Sequence, residues 1–224
     1  IPLSSTPTQS DALSPLINLK NQDLATQSAD DGTVIDILVV YTAEARIEEG
    51  GTSSIESIID LAESETNAAY ANSGVSHVIN VIAKQEISFS ESGFSFSGFL
   101  ASAQNGSIPG LHDLRNEKAA DLVAVLVKGD FSLCGLGYLL TTVSSSFAPF
   151  GYSVTASNCA AAGILTFPHE IGHNMGARHD RAADNTDGSP FDFNHGYVDN
   201  INAFKTIMGT GSNFRYPGVS NPNV

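Results

Sequence analysis

The segment TFPHEIGHNMGARHD, residues 166–180, carries His169-Glu170-x-x-His173-x-x-Gly176-x-x-His179. Four residues make about one helical turn, so His169 and His173 project from one face of a helix and can share a divalent ion. Glu170 follows the first imidazole, which sets a carboxylate beside the ion's open side without ligating it. A helix cannot easily aim a third imidazole at the same point. Gly176 can adopt a positive φ, end the helix and turn the chain so that His179 reaches the ion. Three neutral imidazoles leave a fourth position for water, the pattern of a catalytic rather than a structural zinc. The chemistry is hydrolysis: the ion polarises a carbonyl, and Glu170 takes the proton of the attacking water and passes it to the leaving amine. No Ser or Cys nucleophile is needed. With this chain's composition, the five fixed positions fall in register by chance with a probability on the order of 10⁻⁵. A fortuitous histidine cluster therefore explains little.

The rest of the chain must position these groups. TVIDILVVYT (33–42) is short, apolar and β-branched, and predicts a buried strand. Ile55, Ile58, Ile59, Ala62, Thr66, Ala69 and Tyr70 recur at helical spacing between Gly51-Thr52 and Gly74, which predicts a long amphipathic helix. VSHVINVIAK (75–84) alternates like a strand, and Phe94 to Ala120 holds a Gly-Ser-Phe loop with one or two short helices, the clearest at 111–120. DLVAVLVKG (121–129) is an apolar strand, and 134–144 and 152–157 are two further candidates. Strands alternating with helices predict an α/β fold with a mostly parallel sheet. From Asp180 onward the pattern dissolves into Asp, Asn, Gly and Pro, the composition of an irregular second lobe. Residues 1–32, with three prolines and no sustained period, read as a leader, linker or propeptide remnant.

The totals narrow the partners. A hydrophobic fraction of 42% with 15% charged residues describes a globular core rather than extended disorder. Ten Lys and Arg against 24 Asp and Glu give a formal charge of −14, which nucleic-acid phosphates and anionic lipid repel. No apolar run reaches the roughly 18 residues of a membrane span, and Ile1 opens a polar stretch rather than a signal peptide. The chain is therefore expected to begin after a signal or within a processed precursor. Cys134 and Cys159 either close a loop of about 26 residues as a disulfide, which the chain-entropy relation values at about 3 kcal/mol, or remain two buried thiols. The disulfide is the expected state.

The extended histidine motif resembles that of the metzincins, and His179-Asp180 is similar to their reprolysin-like branch. KTIMGTG (205–211) fits the Met-turn of that class, with Met208 beneath the zinc. Astacins and serralysins place a Tyr two residues after that Met; Thr210 stands here, so no tyrosine ligand is expected. VIDILVVYTAEAR (34–46), ETNAAYANSGV (65–75), CGLGYLLTTVSS (134–145), HEIGHNMGARHDR (169–181), HGYVD (195–199) and SNPNV (220–224) together resemble bacterial peptidyl-Asp metalloendopeptidases. The resemblance covers residue 33 to the end. It implies a metzincin-type catalytic domain over 33–224, with an upper α/β lobe (33–179), a smaller irregular lower lobe (180–224) and a zinc cleft between them. It also implies a secreted, extracellular enzyme acting on protein or peptide substrates, with monomer as the default state.

The resemblance implies a substrate laid along the sheet's edge strand. Gly135 to Leu140, with Leu136 between Gly135 and Gly137, is the expected edge, its glycines letting a second backbone approach; an ordinary strand with bulges is the alternative. If specificity follows the resemblance, a cation meets an aspartate on the primed side of the scissile bond. Arg215 is the first candidate, then Lys205 and Arg178, although any of them could instead form a plain salt bridge. Asp180 is expected to steady the turn that aims His179. Asp184, Asn185, Asp187 and Asp192 would suit a calcium ion, but Asx-turns explain them equally well. His77, His112 and His195 read as structural. The leader contains no Cys for a cysteine switch; Asp11, Asp23, Asp30 or Asp31 could in principle reach the metal. The competing function is a catalytically inactive, zinc-containing binding module, which Glu170 argues against.

Overall fold

The computed structural model describes residues 33–129 and 133–221. The leader at 1–32, including Asp11, Asp23, Asp30 and Asp31, lies outside the described residues. The frame is a five-stranded sheet in the order β2-β1-β3-β5-β4, from β1 (Val34–Thr42), β2 (Val78–Ile87), β3 (Leu122–Val127), β4 (Gly135–Gly137) and β5 (Tyr152–Ala156). β1 lies parallel to both β2 and β3, and β3 parallel to β5; β4 alone runs antiparallel, against β5. The mixed α/β architecture and the mostly parallel sheet agree with the sequence.

β1 and β3 read as unbroken apolar runs because both faces of the sheet are covered. Ile37, Val39 and Tyr41 of β1 and Leu122, Ala124 and Leu126 of β3 face one core. That core is closed by α2 (Thr52–Asn72) through Ile55, Ile59, Ala62 and Tyr70, and by α5 (Thr166–Asn174) through Phe167 and Ile171. Leu38, Val40, Val123, Val125 and Val127 point the other way, under α3 (Phe96–Asn105) and α4 (Leu111–Lys118), with Phe96, Phe99, Leu100 and Leu111 filling that side. The period of two along each strand therefore assigns every side chain to one of two cores. α5, which carries His169 and His173, packs against this sheet by its apolar residues.

Several elements depart from expectation. A short helix, α1 (Ala43–Glu48), follows β1 directly, its first turn capped by the Thr42 hydroxyl, which accepts from the Ala45 amide at 3.0 Å. Six residues are too few for a helical period to register. The strand expected over 134–144 is a strand only at Gly135–Gly137. Beyond it the Tyr138 amide still bonds the Tyr152 carbonyl (3.3 Å), but the Leu140 amide switches to the carbonyl of His173 (2.9 Å), so the segment leaves β5 for the end of α5. A 3₁₀ helix spans Ser145–Phe150. The region after Asp180 is largely irregular, as expected, yet holds a small sheet in the order β6-β7-β8, from Val198–Asp199, Phe204–Lys205 and Phe214–Arg215. Cys134 and Cys159 are bonded, tying the start of β4 to the turn after β5.

Candidate metal centre

α5 begins at Thr166 with Pro168 in its first turn, where no amide is owed to a preceding carbonyl. It stops where the motif requires. Gly176 takes φ +91°, its amide bonding the His173 carbonyl at 3.0 Å, and the Ala177 amide reaches back to Gly172 at 2.9 Å. The chain then turns and brings His179 under the helix.

The three imidazoles converge. Their ligand atoms all lie within 4.8 Å of one another, and among the described residues no other group of His, Cys, Asp and Glu does so. Nε2 of His169 and Nε2 of His179 are 3.2 Å apart, close to the about 3.3 Å that two nitrogens span around one tetrahedral zinc with bonds near 2.05 Å. The outward-facing nitrogens are held by main chain. Nδ1 of His169 donates to the carbonyl of Ile207 (2.7 Å), and Nδ1 of His173 to that of Ala177 (2.8 Å). These bonds place the free lone pair on Nε2 in both rings. Burial pushes His169 down to about 3, helped by the neighbouring charge of His173, and His173 down to about 4; His179 is lowered too, again by burial. Three neutral, oriented imidazoles are the donor set that a borderline divalent ion takes, so the residues fit zinc.

Glu170 lies buried beside the trio. Burial raises its carboxyl to about 8, opposed by the charge of Arg215 and a hydrogen bond from the Gly137 amide. The glycines of β4 explain how it fits. A Cβ on Gly135 would sit 2.6 Å from Glu170 Cγ, and one on Gly137 2.5 Å from the Glu170 carbonyl oxygen. On the side where a Cβ would stand, these glycines admit α5 and Glu170. Leu136, between them, turns to the opposite face and packs on the second core. β4 is nonetheless an edge of the sheet.

Met208 is buried under α5, with Sδ against Gly172, in a small cluster with Ala69, Leu165 and Ile207. Asp180 ties this turn to the one after His179: its Oδ2 accepts from both the amide (2.8 Å) and the hydroxyl (2.6 Å) of Thr210. His195 accounts for both of its nitrogens, Nδ1 on the carbonyl of His179 and Nε2 on that of Thr186, each at 2.7 Å. The residue types did not foretell the carbonyls of Ile207 and Ala177, because any residue supplies one. His112 is remote from the site, its Nε2 on the Ala103 carbonyl at 2.8 Å.

The candidate cations separate. Arg178 is buried, with its guanidinium on Asp184 (2.6 Å) and the carbonyl of Ser189 (2.6 Å), so it is occupied in holding the loop. Lys205 is buried and donates to the carbonyl of Gly211. Arg215 stands close enough to shift the titration of Glu170, His169 and His179. In the acidic loop, Asp184 pairs with Arg178 and accepts from the Thr186 amide, and Asp187 pairs with Arg181.

Residues 31–220 match the metallo-peptidase family M12 (Reprolysin_5). The chain is similar to a peptidyl-Asp metalloendopeptidase of Stenotrophomonas maltophilia, 34% identical over 223 residues, covering 94% of this chain and 51% of the relative. It is also similar to a peptidyl-Asp metalloendopeptidase of Xanthomonas campestris pv. campestris, 33% identical, covering 95% of this chain and 51% of the relative. The chain thus spans about half the length of these curated relatives. A solved structure described as that of a chaperone-substrate complex shares the fold, with a TM-score of 0.62 at 17% identity over 82% of this chain and 32% of that one.

Proposed function

Because the chain belongs to metallo-peptidase family M12, we propose that it is a zinc-dependent endopeptidase with His169, His173 and His179 as the metal ligands and Glu170 as general base. The observation that carries this reading is the convergence of three imidazoles, two of them oriented by main-chain carbonyls, beside one buried carboxyl group.

A zinc ion bound by the trio supplies Lewis-acid polarisation of a peptide carbonyl and an acidified water. The chain's own residues do the rest. Glu170, raised by burial, returns to carboxylate beside a dication, since nearby positive charge favours the anionic form. It then accepts the proton of the attacking water and delivers it to the leaving amine. Burial keeps bulk water from competing for the proton. β4, as a sheet edge, offers main-chain donors and acceptors to an extended substrate. Asp180 and the turn at Met208 keep His179 and His169 aimed at the same point.

The catalytic domain is read as 33–224, with the sheet and α5 as an upper lobe to residue 179, the segment 180–224 as the lower lobe, and the substrate cleft between them. The bonded cysteines favour an oxidising, extracellular compartment. The names of the relatives suggest that the bond cut precedes an aspartate.

Casein hydrolysis that stops with a chelator, returns with zinc and is lost in Glu170→Gln tests the reading. That variant is expected to keep its zinc and lose at least about a hundredfold in kcat. Near-full activity in a zinc-loaded Glu170→Gln would remove Glu170 from the role, and an inert zinc-loaded wild type would leave only a zinc-holding module.

A further inference from the structure

Among the described cations near the histidine trio, Arg215 is the one whose hydrogen-bonding capacity the protein leaves unspent. Arg178 and Lys205 are committed to Asp184, Ser189 and Gly211. Among the described residues the Arg215 side chain makes a single hydrogen bond, from Nη1 to the carbonyl of Ile164 at 2.6 Å. It enters no ion pair among the described residues. Its Nε is buried without a partner among the described residues, while Nη2 has none among them either and is not sealed from solvent.

The arrangement of those donors matters. In a guanidinium group, Nε–H and one N–H of Nη2 lie on the same edge and point the same way, the fork that grips a carboxylate by two parallel bonds. The bond to Ile164 uses Nη1, so it anchors the group without occupying that edge. Ile164 lies just ahead of α5, and Arg215 follows Phe214 in β8, so the fork is held between the start of the helix that carries His169 and the small sheet. Its charge is felt at Glu170, His169 and His179. A largely buried guanidinium with an orphaned donor is costly to keep unless an anion meets it.

We propose that Arg215 reads the substrate: its Nε/Nη2 edge receives the carboxylate of an aspartate side chain on the residue following the scissile bond. The proposal rests on the endopeptidase reading above and names the residue that would give it selectivity. A carboxylate at this edge satisfies both free donors at once. A carboxamide of the same shape offers one acceptor and one donor, and so leaves a guanidinium N–H facing an NH₂ group. Discrimination of Asp from Asn is the signature.

The test uses the zinc-loaded chain and pairs of fluorogenic peptides that differ only by Asp or Asn after the cut bond, with zinc content and Tm measured alongside. The wild type should favour Asp. In Arg215→Ala the ratio of kcat/KM for Asp over Asn should fall by at least about thirtyfold, the scale of losing a charged hydrogen-bonded pair. Arg215→Lys, which keeps the charge but not the fork, should fall part of the way, and Arg215→Glu should turn the preference toward a basic residue. An equal slowing of both peptides in Arg215→Ala would overturn the proposal, because that is what a prop for Ile164 or a general field on Glu170 predicts. An unchanged ratio in Arg215→Lys would overturn it as well, even where the alanine variant folds poorly. A wild type that cuts peptides without regard to Asp removes Arg215's role and leaves the endopeptidase standing. A wild type that cuts nothing removes both.

Discussion

Asp180 and Thr210 are joined twice through one oxygen: Oδ2 of Asp180 accepts from the Thr210 amide at 2.8 Å and from its hydroxyl at 2.6 Å. Asp180 follows His179 directly and Thr210 lies two residues past Met208, so this pair locks the turn that aims one imidazole to the turn whose Ile207 carbonyl orients another. Asp180→Ala should weaken zinc binding by about 10–100-fold, the usual effect of deleting a group that orients a ligand. Thr210→Val should do less, because the amide bond survives. Competition against a chromophoric chelator measures both; equal affinity in Asp180→Ala and wild type would show that the lock does not reach the ligands.

Gly135 and Gly137 face α5 at different atoms of Glu170, and alanine at each should fail differently. At Gly137 the added carbon meets the Glu170 carbonyl oxygen at 2.5 Å. Main chain cannot swing aside, so Gly137→Ala should cost about 1–3 kcal/mol, read as a lower Tm or urea midpoint. At Gly135 the clash is with the side chain, Cγ at 2.6 Å and Oε1 at 2.7 Å. Gly135→Ala should therefore show its largest effect in kcat, by displacing the carboxyl group. Reversed outcomes would mean that β4, rather than α5, gives way.

The chelated protein should have a stability optimum close to pH 6.5. His169 and His173 titrate at about 3 and 4 when folded, against 6.5 when unfolded. Below pH 6.5 the unfolded chain takes up protons that the folded one refuses, so stability falls as pH drops through that window. Glu170 acts in the opposite sense, its folded value of about 8 lying above the usual 4.5. Its contribution is full in acid and fades as pH rises from 4.5 to 8; between 4.5 and 6.5 the two histidines outweigh it. Thermal unfolding in chelator from pH 4 to 9 follows both arms. Glu170→Gln should flatten the alkaline arm alone, and a wild-type curve already flat to pH 9 would contradict the burial of Glu170.

The sequence was informative wherever residue type carries the physics. The histidine spacing with Gly176 foretold a helix, its end and a turn, because imidazoles, one helical turn and a positive φ each demand particular residues. β1 and β3 were legible because strands covered on both faces need apolar side chains at every position. Main-chain events left no such trace. The Ile207 carbonyl that fixes the His169 tautomer could belong to any residue, and the departure of Leu140 from β5 toward His173 is a choice between equivalent amide partners. The glycines of β4 mark a close backbone approach, but residue type does not say which element comes close. Arg178 stood behind Arg215 and Lys205 as a candidate cation, and the sequence does not show that Asp184 lies beside it.

The anchors of His169 and His173 are carbonyl oxygens of the polypeptide itself. No point substitution deletes a carbonyl, so residues 177 and 207 can drift in side chain while the ring orientation they enforce persists. Relatives could therefore diverge widely around this site and keep the same imidazole nitrogens turned inward. Damage to the centre would then arise through shifts of the 206–209 turn or of the helix end, rather than through loss of a partner side chain.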